Sequence, residues 1–334
     1  YRVVSTGSAG LMEIKIGLDF FKYEDESSMN VTIVTYHYVR EIKRSKYPGI
    51  KGLEFEGFKR QLDYLESNYN IVSAEDLIEF SISGKALPSN ACYLTFDDGY
   101  KDHVDFVLPE LLKRNLQGSF FIPVKPVVER EMLDVNSVHF ILATCSDSSI
   151  LVSELNSLCL SYISENTLKE YWNIYAVEDL FDVKEVVYFK RMLQHVLPEE
   201  MRNSITRILF EKYVGETSSS FADKLYLSID DVKKLVNSGM YVGNHGYKHT
   251  WLSKGTIEEQ ENEIELSLEF LEAVGATSDN WIMCYPYGDY NQDTLSILCS
   301  KRCAIGLTTK VGVAELNTSR LLELSRIDTN DFPQ

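Results

Sequence analysis

Two neighbouring carboxylates, Asp97 and Asp98, follow a run of apolar residues and precede Gly99. The run from Ala91 to Phe96 is typical of a buried strand, and the glycine allows the backbone to turn sharply where the strand ends. Open α/β sheets and barrels have their active sites at such strand ends. Because adjacent carboxylates repel each other, a metal ion that compensates their charge is the favoured interpretation. The alternative is an ordinary Asp-Asp-Gly turn without a ligand.

A second pair of candidate ligands, His245 and His249, lies much further along the chain. One helical turn, or a tight loop of this length, points both imidazoles to one side. With a carboxylate from elsewhere they make a set of two histidines and one aspartate that leaves coordination positions open for water. Such an open position is typical of a catalytic metal site. A histidine pair at this spacing can also be incidental, but carboxylates at another strand end favour a metal site.

Three stretches of the sequence carry a resemblance to a known family, and they are Thr95-Phe96-Asp97-Asp98-Gly99, the pair His245 and His249, and Tyr285-Pro286-Tyr287-Gly288. In this order they resemble the first three motifs of the polysaccharide deacetylases, the NodB-homology or carbohydrate esterase 4 family. The surroundings of His37 and of Arg326 also resemble the beginning and the end of many family members. The resemblance covers roughly residues 30–124 and 227–327.

The resemblance implies a fold, a distorted barrel of about seven β/α units, and a set of site residues. Asp97 is implied as the general base, and Asp98, His245 and His249 are implied as the ligands of a divalent metal ion. Zinc is the common metal of the family, with cobalt, nickel and iron(II) as alternatives. This agrees with the chemistry expected from the residues, because a carboxylate that is not needed as a ligand can take a proton from a metal-activated water.

The third motif is implied to stabilise the oxyanion of the reaction. In the family, the backbone N–H of the residue that matches Tyr287 does so, and Pro286 fixes the loop that aims it. We also predict that Tyr285, Pro286 and Tyr287 contribute to substrate binding.

The chain departs from the family in the third motif. Cys284 stands where the family often has an arginine that steadies the base. Arg326, in the predicted last strand, is the candidate replacement. The alternative for Arg326 is an ordinary salt bridge on the surface.

The general acid also has no clear motif, because residues 307–309 occupy the region of the family's late Leu-x-His motif without a histidine. An amine leaving group needs a proton, so an acid must come from elsewhere. His37 is the first candidate and His139 the second, although His37 could also be a hydrogen-bonded core histidine. His103 is expected on an exposed turn and His195 on a helix, and neither is given a role.

Strand and helix patterns alternate along most of the chain, which predicts an α/β fold with a parallel sheet or barrel. The predicted strands are residues 31–38, 71–72, 91–96, 118–124, 240–243, 281–284, 303–308 and 324–327. Helices with a capping residue and an acid three residues later are predicted to begin at Ser73, Ser228 and Thr256.

The alternation breaks between about residues 126 and 226, where helical patterns dominate. The clearest predicted helices are 134–143, 148–161, 184–197 and 199–213, and the polar run 215–220 is predicted to be a loop. We interpret this block as a helical insertion that interrupts a deacetylase-like domain at 29–334. It could form a lid, select substrate, or mediate assembly into a homo-oligomer, and the alternative is an insertion that only thickens the scaffold. Residues 1–28 are interpreted as an N-terminal extension or a cloning remnant.

Composition limits the classes of partner and compartment. The 334 residues carry a formal net charge of −17, which argues against binding to nucleic acid or to anionic membranes. The six cysteines form no Cys-x-x-Cys pair, so free thiols are expected rather than disulfides. The sequence has no 18-residue apolar run and no secretory signal pattern, which favours a cytoplasmic protein.

We therefore predict a metal-dependent hydrolase that removes an N-acetyl or other N-acyl group from an amino sugar of a glycan or glycan precursor. A nucleotide-linked or lipid-linked precursor is favoured over a finished polymer. One alternative is a glycan-binding module on the same fold with weak or no catalysis. Another is a hydrolase of O-acetyl esters or formamides, because an activated water attacks either carbonyl.

Overall fold

The computed structural model describes residues 29–178, 182–317 and 320–332. The predicted N-terminal extension lies outside the described residues. The strands are β1 Met29–Tyr36, β2 Val39–Arg40, β3 Leu53–Glu54, β4 Asn70–Ile71, β5 Ala91–Asp97, β6 Ser119–Ile122, β7 Tyr241–Asn244, β8 Ile282–Cys284, β9 Ile305–Val311, β10 Ala314–Leu316 and β11 Leu324–Asp328. The helices are α1 Phe55–Asn68, α2 Ala74–Ser83, α3 Leu108–Arg114, α4 Val124–Val128, α5 Asp134–Thr144, α6 Ser148–Cys159, α7 Glu165–Tyr175, α8 Lys184–Arg191, α9 Glu199–Val214, α10 Ser218–Leu225, α11 Ile229–Asn237, α12 Ile257–Ala273 and α13 Gln292–Ser300.

Seven strands close into a barrel in which every neighbouring pair is parallel. Their order around the ring is β1-β5-β6-β7-β8-β9-β11, and β11 pairs with β1 to close it. The short strand β10 pairs antiparallel with the start of β1, and β4 pairs parallel with the start of β5. The distorted (β/α)7 barrel expected from the sequence is confirmed. Parallel strands bring their carboxyl ends to one rim, where the site is expected.

The alternation of side chains along β5 determines which residues face the inside of the barrel. Tyr93 belongs to the apolar cluster inside the barrel, whereas Leu94 and Phe96 pack against the outer helices. Asp97 therefore projects inward at the upper end of the strand. The same alternation along β1 places Ile33 inside.

The predicted helix starts rest on hydrogen bonds between side chains and backbone. Each of the three starts is a reciprocal capping box, and the pairs are Ser73 with Asp76, Ser228 with Asp231, and Thr256 with Glu259. In each case the hydroxyl accepts an N–H that the helix cannot satisfy, and the acid returns a bond to the capping residue. These local signals were sufficient to position α2, α11 and α12.

Between β6 and α11, the described part of the chain contains the seven helices α4 to α10. The predicted loop at 215–220 is wrong for its second half, because α10 begins at Ser218. The Thr217 hydroxyl accepts the N–H of Ser220, and Phe221 and Leu225 are buried, so the polar run is a helix start. Whether the block is an insertion into an older domain stays a prediction.

The helical block is tied to the barrel next to the Asp97-Asp98 turn. The backbone N–H of Leu227 donates to the Gly99 carbonyl at 2.9 Å, and the N–H of Lys101 donates to the Leu225 carbonyl at 2.7 Å. The chain leaving the block thus runs antiparallel to the segment that follows the two carboxylates.

All six cysteines lie within the described ranges and are free thiols, as expected from their spacing. Within those ranges, none of the helices is both long enough and apolar enough to cross a membrane.

Candidate metal centre and active site

The strand β5 ends in a turn that separates the two carboxylates. Asp97 is its last residue, and Asp98 and Gly99 have φ values of 73° and 65°. A Cβ at Gly99 would lie 2.9 Å from the side chain of Ile122, so both the backbone angle and the close approach require glycine. The turn leaves Asp97 inside the barrel and directs Asp98 toward the loop that follows β7.

Asp98, His245 and His249 converge into one buried group. The Asp98 Oδ1 lies 3.3 Å from the His245 Nε2 and 3.4 Å from the His249 Nε2. The candidate ligand atoms of the three residues all lie within 4.8 Å of one another. The structure thus brings together the three residues predicted to be metal ligands.

The loop after β7 is held by hydrogen bonds that orient the imidazoles. His245 Nδ1 donates to the carbonyl of Cys284 at 2.7 Å, which leaves Nε2 free to face Asp98. The Glu263 Oε2, on α12, accepts the backbone N–H groups of Tyr247 at 3.0 Å and Lys248 at 2.8 Å. A fixed loop, and not a helical turn, therefore holds the two histidines at this spacing.

The donor set fits a divalent ion of the zinc type. Burial lowers the pKa of His249 to about 3. For the other pair the contact between them dominates: burial opposes it, but the hydrogen bond between His245 and Asp98 holds the pKa of Asp98 well below its usual range, and contacts with Cys284 and Asp98 raise the pKa of His245. Two imidazole nitrogens and one carboxylate oxygen are ligands that zinc accepts, with positions left for water.

Asp97 is paired with a buried arginine. An Arg326 terminal nitrogen lies 2.8 Å and 3.0 Å from the two carboxylate oxygens of Asp97, and Arg326 is 4% exposed. Burial would raise the pKa of Asp97, but the guanidinium outweighs it and the pKa is lowered. Arg326 is also fixed by donating from Nε to the carbonyl of Thr308 at 2.8 Å. The alternative of a surface salt bridge for Arg326 is therefore wrong.

Two neutral donors complete the surroundings of Asp97. The Cys284 thiol donates to its Oδ2 at 3.4 Å, and the Thr35 hydroxyl donates to the same oxygen at 3.3 Å. Burial raises the pKa of the Cys284 thiol, so it keeps its proton and remains a donor. The residue that replaces the family's arginine is thus itself a partner of Asp97.

The third motif forms a tight turn beside the histidines. Tyr287 has a φ of 57°, stacks on Trp251 with ring centroids 4.6 Å apart, and meets the His249 ring edge-on at 4.6 Å. Tyr285 is fully buried, and its hydroxyl donates to the carbonyl of Leu322 at 2.8 Å. Pro286 is buried as well. The side chain of Tyr285 therefore supports the loop from inside, a position that does not support the predicted contact with substrate.

The candidate acids lie at different depths. The side chain of His37 is 45% exposed, and its Nε2 lies 4.0 Å from the Asp97 Oδ2. His139 Nδ1 lies 3.5 Å from the hydroxyl of Tyr38, and burial lowers the pKa of His139 to about 4. The structure thus places an exposed His37 beside Asp97 and His139 beside Tyr38. The alternative of a core histidine does not fit the exposure of His37.

His103 is not on an exposed turn, and that expectation is wrong. The residue is fully buried among aromatic rings, and its Nε2 lies 3.1 Å from the His37 carbonyl. The chain enters α3 through a π-helical turn, His103–Val107, which rotates the imidazole inward. His195 lies in a second π-helical turn, Met192–Val196, after α8.

A cavity of about 720 Å³ lies between the helical block and the barrel, next to the metal group. His249, Trp251 and Tyr287 line one wall, and Asp134 and Arg202 belong to the opposite wall. Sequence reasoning missed this cavity because its walls come from distant segments. The nearest signal in the sequence was Trp251, two residues after the second histidine.

The barrel, the Asp-His-His group and the Asp97–Arg326 pair can be compared with known proteins. Residues 198–302 match the family model for polysaccharide deacetylase, a region that includes both histidines and the third motif. No curated protein matches the chain significantly.

Solved structures of deacetylases share the fold. The Streptococcus pyogenes deacetylase PplD in complex with acetate is 16% identical, with 90% of this chain and 93% of that chain covered and a TM-score of 0.55. IcaB from Ammonifex degensii is 16% identical, with 90% and 91% covered and a TM-score of 0.51. The BpsB deacetylase domain from Bordetella bronchiseptica is 13% identical, with 90% and 96% covered and a TM-score of 0.50. The resemblance stated from the motifs is confirmed.

Proposed function

We propose that the chain is a metal-dependent hydrolase that removes an N-acetyl group from an amino sugar of a glycan or glycan precursor. The observation that carries this proposal is the approach of Asp98 to His245 and His249, at 3.3 Å and 3.4 Å, beside a second carboxylate held by a buried arginine. A ligand set and an adjacent proton acceptor in one buried place are what hydrolysis by an activated water requires.

Asp98, His245 and His249 would hold the metal, and zinc suits the donor set best. A divalent ion bound there would activate a water molecule and polarise the acyl carbonyl. The protein contributes the fixed direction of each ligand, because His245 is bonded to the Cys284 carbonyl behind it. Such outer partners typically raise metal affinity by about 10–100-fold.

Asp97 acts as the general base in this proposal. Its lowered pKa keeps the carboxylate ionised at neutral pH, so it is ready to accept a proton. Arg326, Cys284 and Thr35 all donate to it, which fixes the orientation of both oxygens. A proton taken from water is then held in a buried site, where the same neighbours prevent the carboxyl group from rotating away.

The third motif supplies the stabilisation of the developing negative charge. The N–H groups of Gly288 and Asp289 bond back to the carbonyls of Tyr285 and Pro286 and close the turn. Tyr287 is the residue at the apex of this turn, and its side chain is clamped against Trp251. We assign its backbone N–H as the donor to the oxyanion, in a rigid turn that needs no reorganisation during the reaction.

His37 donates the proton to the leaving amine. It is the exposed histidine above the base, and its Nε2 is within 4.0 Å of the Asp97 Oδ2. His139 is the weaker candidate, because a pKa of about 4 leaves its imidazole without a proton to give at neutral pH.

The test measures zinc content and acetate release from N-acetylated amino-sugar oligomers. Asp98→Asn should lose both, whereas His37→Gln should keep zinc and lose about 10²–10⁴-fold in rate. The matched control is Asp102→Asn, because Asp102 is also buried beside an arginine, Arg40 at 2.6 Å, but is not part of the metal group. Zinc binding without acetate release from any amide would overturn the proposal and favour a glycan-binding module. Faster release from O-acetyl esters would reassign the bond.

A further inference from the structure

The helical block reaches the metal group through hydrogen bonds that end on Asp98. Asn136, on α5, donates from Nδ2 to the hydroxyl of Tyr100 at 2.7 Å, and the Tyr100 hydroxyl donates to the Asp98 Oδ2 at 2.5 Å. The other carboxylate oxygen, Oδ1, is the one that faces His245 and His249. The two oxygens of Asp98 are thus divided between Tyr100, which Asn136 of the helical block holds, and the imidazoles.

The direction of these bonds is fixed by a backbone N–H, which can only donate. The N–H of Leu133 donates to the hydroxyl of Tyr226 at 3.0 Å. That hydroxyl in turn donates to the Asn136 Oδ1, which turns the Asn136 Nδ2 toward Tyr100. Because the Tyr100 hydroxyl receives this bond, its own hydrogen goes to Asp98. The orientation of one amide therefore determines which way the proton on Tyr100 points.

Burial makes this orientation costly to disturb. Asn136 and Tyr100 are fully buried, and Tyr226 and Tyr38 are 1% and 3% exposed. The second Nδ2 hydrogen of Asn136 is taken by the Tyr38 hydroxyl at 2.9 Å, so both hydrogens of the amide have acceptors. A buried polar group that loses its partner carries the full cost of its desolvation, and linked hydrogen bonds strengthen one another.

We propose that Asn136 is a positioning residue for Asp98, acting through Tyr100, so that the helical block is a working part of the metal centre. The inference rests on the proposed function in one respect, namely that Asp98 is a metal ligand. Asp98 needs such support because its φ of 73° is unfavourable for a residue with a side chain and Asp97 adjoins it. With Oδ2 fixed by Tyr100, Oδ1 is presented to the ion in a single direction.

The test compares Asn136→Leu with wild type, since leucine has a similar volume and no hydrogen bonds to give. Zinc affinity is measured by competition with a chromophoric chelator, and the visible absorption of the Co²⁺-loaded protein reports ligand geometry. We expect affinity to fall by about 10–100-fold, with a changed Co²⁺ spectrum. The matched control is Asn156→Leu, because Asn156 accepts from the Tyr188 hydroxyl at 2.9 Å within the same block. The control should keep both properties.

A double variant separates positioning from a general structural effect. Because Asn136 acts through Tyr100, Asn136→Leu combined with Tyr100→Phe should bind zinc no more weakly than Tyr100→Phe alone. Additive losses, or wild-type affinity in Asn136→Leu, would overturn the inference. Failure of the wild-type protein itself to bind zinc would overturn the proposed function instead. If circular dichroism shows that Asn136→Leu is unfolded, Tyr226→Phe decides, and unchanged zinc affinity in that variant rejects the inference.

Discussion

The most informative residue of the site is Arg326, because it replaces from the last strand of the barrel what Cys284 does not provide. Both residues contact the same carboxylate, Asp97, one by charge and the other by a thiol hydrogen bond. Asp97, the proposed base, is therefore held by residues that are far apart in the sequence. An arginine at position 284 would add a second positive charge to a buried pair that is already neutral overall.

Removing the guanidinium should shift the pH dependence of catalysis. In Arg326→Met, the largest influence opposing burial is removed and only His245 and His37 still oppose it, so the pKa of Asp97 rises. The acidic limb of kcat/KM should therefore move to higher pH, and kcat/KM at neutral pH should fall about tenfold or more. The lowered pKa of Asp97 also contributes to the free energy of unfolding of the wild-type protein. This contribution is fully present above the pKa of an ordinary carboxyl group, and it is lost as the pH falls through the pKa that Asp97 has in the folded protein.

The control for this prediction is Arg40→Met, because Arg40 pairs with Asp102 at 2.6 Å outside the metal group. Its pH profile should match wild type. The measurement is kcat/KM for deacetylation from acid to neutral pH, with zinc saturating. An acidic limb in Arg326→Met that coincides with wild type would show that Arg326 does not act on the base.

Among individual residues, the sequence revealed those that belong to recognisable motifs and few others. Asp97, Asp98, His245 and His249 were recognisable because their types and order are unusual together. The chain through Asn136 was not, since amide and tyrosine side chains are common and only the fold brings them together. His103 points inward because it lies in a π-helical turn, and no local sequence pattern predicted that turn.

Among the elements, α12 has the most direct influence on the site. Its Glu263 accepts two consecutive backbone N–H groups of the loop that carries the histidines. The backbone N–H groups of such a loop have no partners within a helix or sheet, so the Glu263 carboxylate accepts their hydrogen bonds. The long helix thus acts as the support that gives the loop a single conformation.

Deleting this support should weaken both the fold and the metal group. Glu263→Ala leaves two N–H groups without acceptors, which we expect to lower the free energy of unfolding by about 1–3 kcal/mol. Zinc affinity should fall in parallel. Glu265→Ala, on the exposed side of the same helix, is the control and should cost at most about 1 kcal/mol, because the Glu265 side chain in its pair with Lys301 is 53% exposed. Urea unfolding in the presence of a chelator gives the first quantity. Equal losses in both variants would contradict this account.

Element boundaries were predictable where short-range chemistry sets them. The capping boxes fixed three helix starts, and each predicted strand overlaps an observed one. The serine run at the start of α10 was misjudged because a capping threonine followed by serines resembles a loop in composition. The short strands β2, β3 and β10 were not predicted, since two or three residues carry no periodicity.

For the whole molecule, the metal should act as a cross-link between two separate parts of the barrel. Asp98 follows β5, and the two histidines follow β7, so an ion would join segments that are distant in the chain. Zinc at about 100 times its dissociation constant should stabilise the folded state by about 2.7 kcal/mol. We expect zinc to raise the melting temperature of wild type and to leave that of His249→Ala unchanged. The control is His195→Ala, which removes a histidine outside the group and should keep the zinc-induced increase. Loss of the increase in His195→Ala would indicate unspecific binding.

The overall architecture was predictable because alternating strand and helix patterns admit few topologies, and right-handed crossovers reduce them further. The closure of the ring was implied only by family resemblance. Closure requires β1 to pair with β5 along one edge and with β10 and then β11 along the other. The pairing of β1 with β11 joins opposite ends of the described chain. Periodicity cannot reveal such a partner, since it reports burial and not neighbours.

The closure of the ring by β11 has a consequence for how the protein matures on the ribosome. All three candidate metal ligands have been synthesised once residue 249 has emerged, but Glu263 and Cys284, which hold the histidine loop, follow later in the chain. Arg326 lies in the strand that seals the barrel, and it reaches Asp97 only when that strand docks against β1 and β9. Pairing between such distant segments is slow to form. The pair of Asp97 with Arg326, which the proposed mechanism needs, is therefore complete only after the final strand has docked.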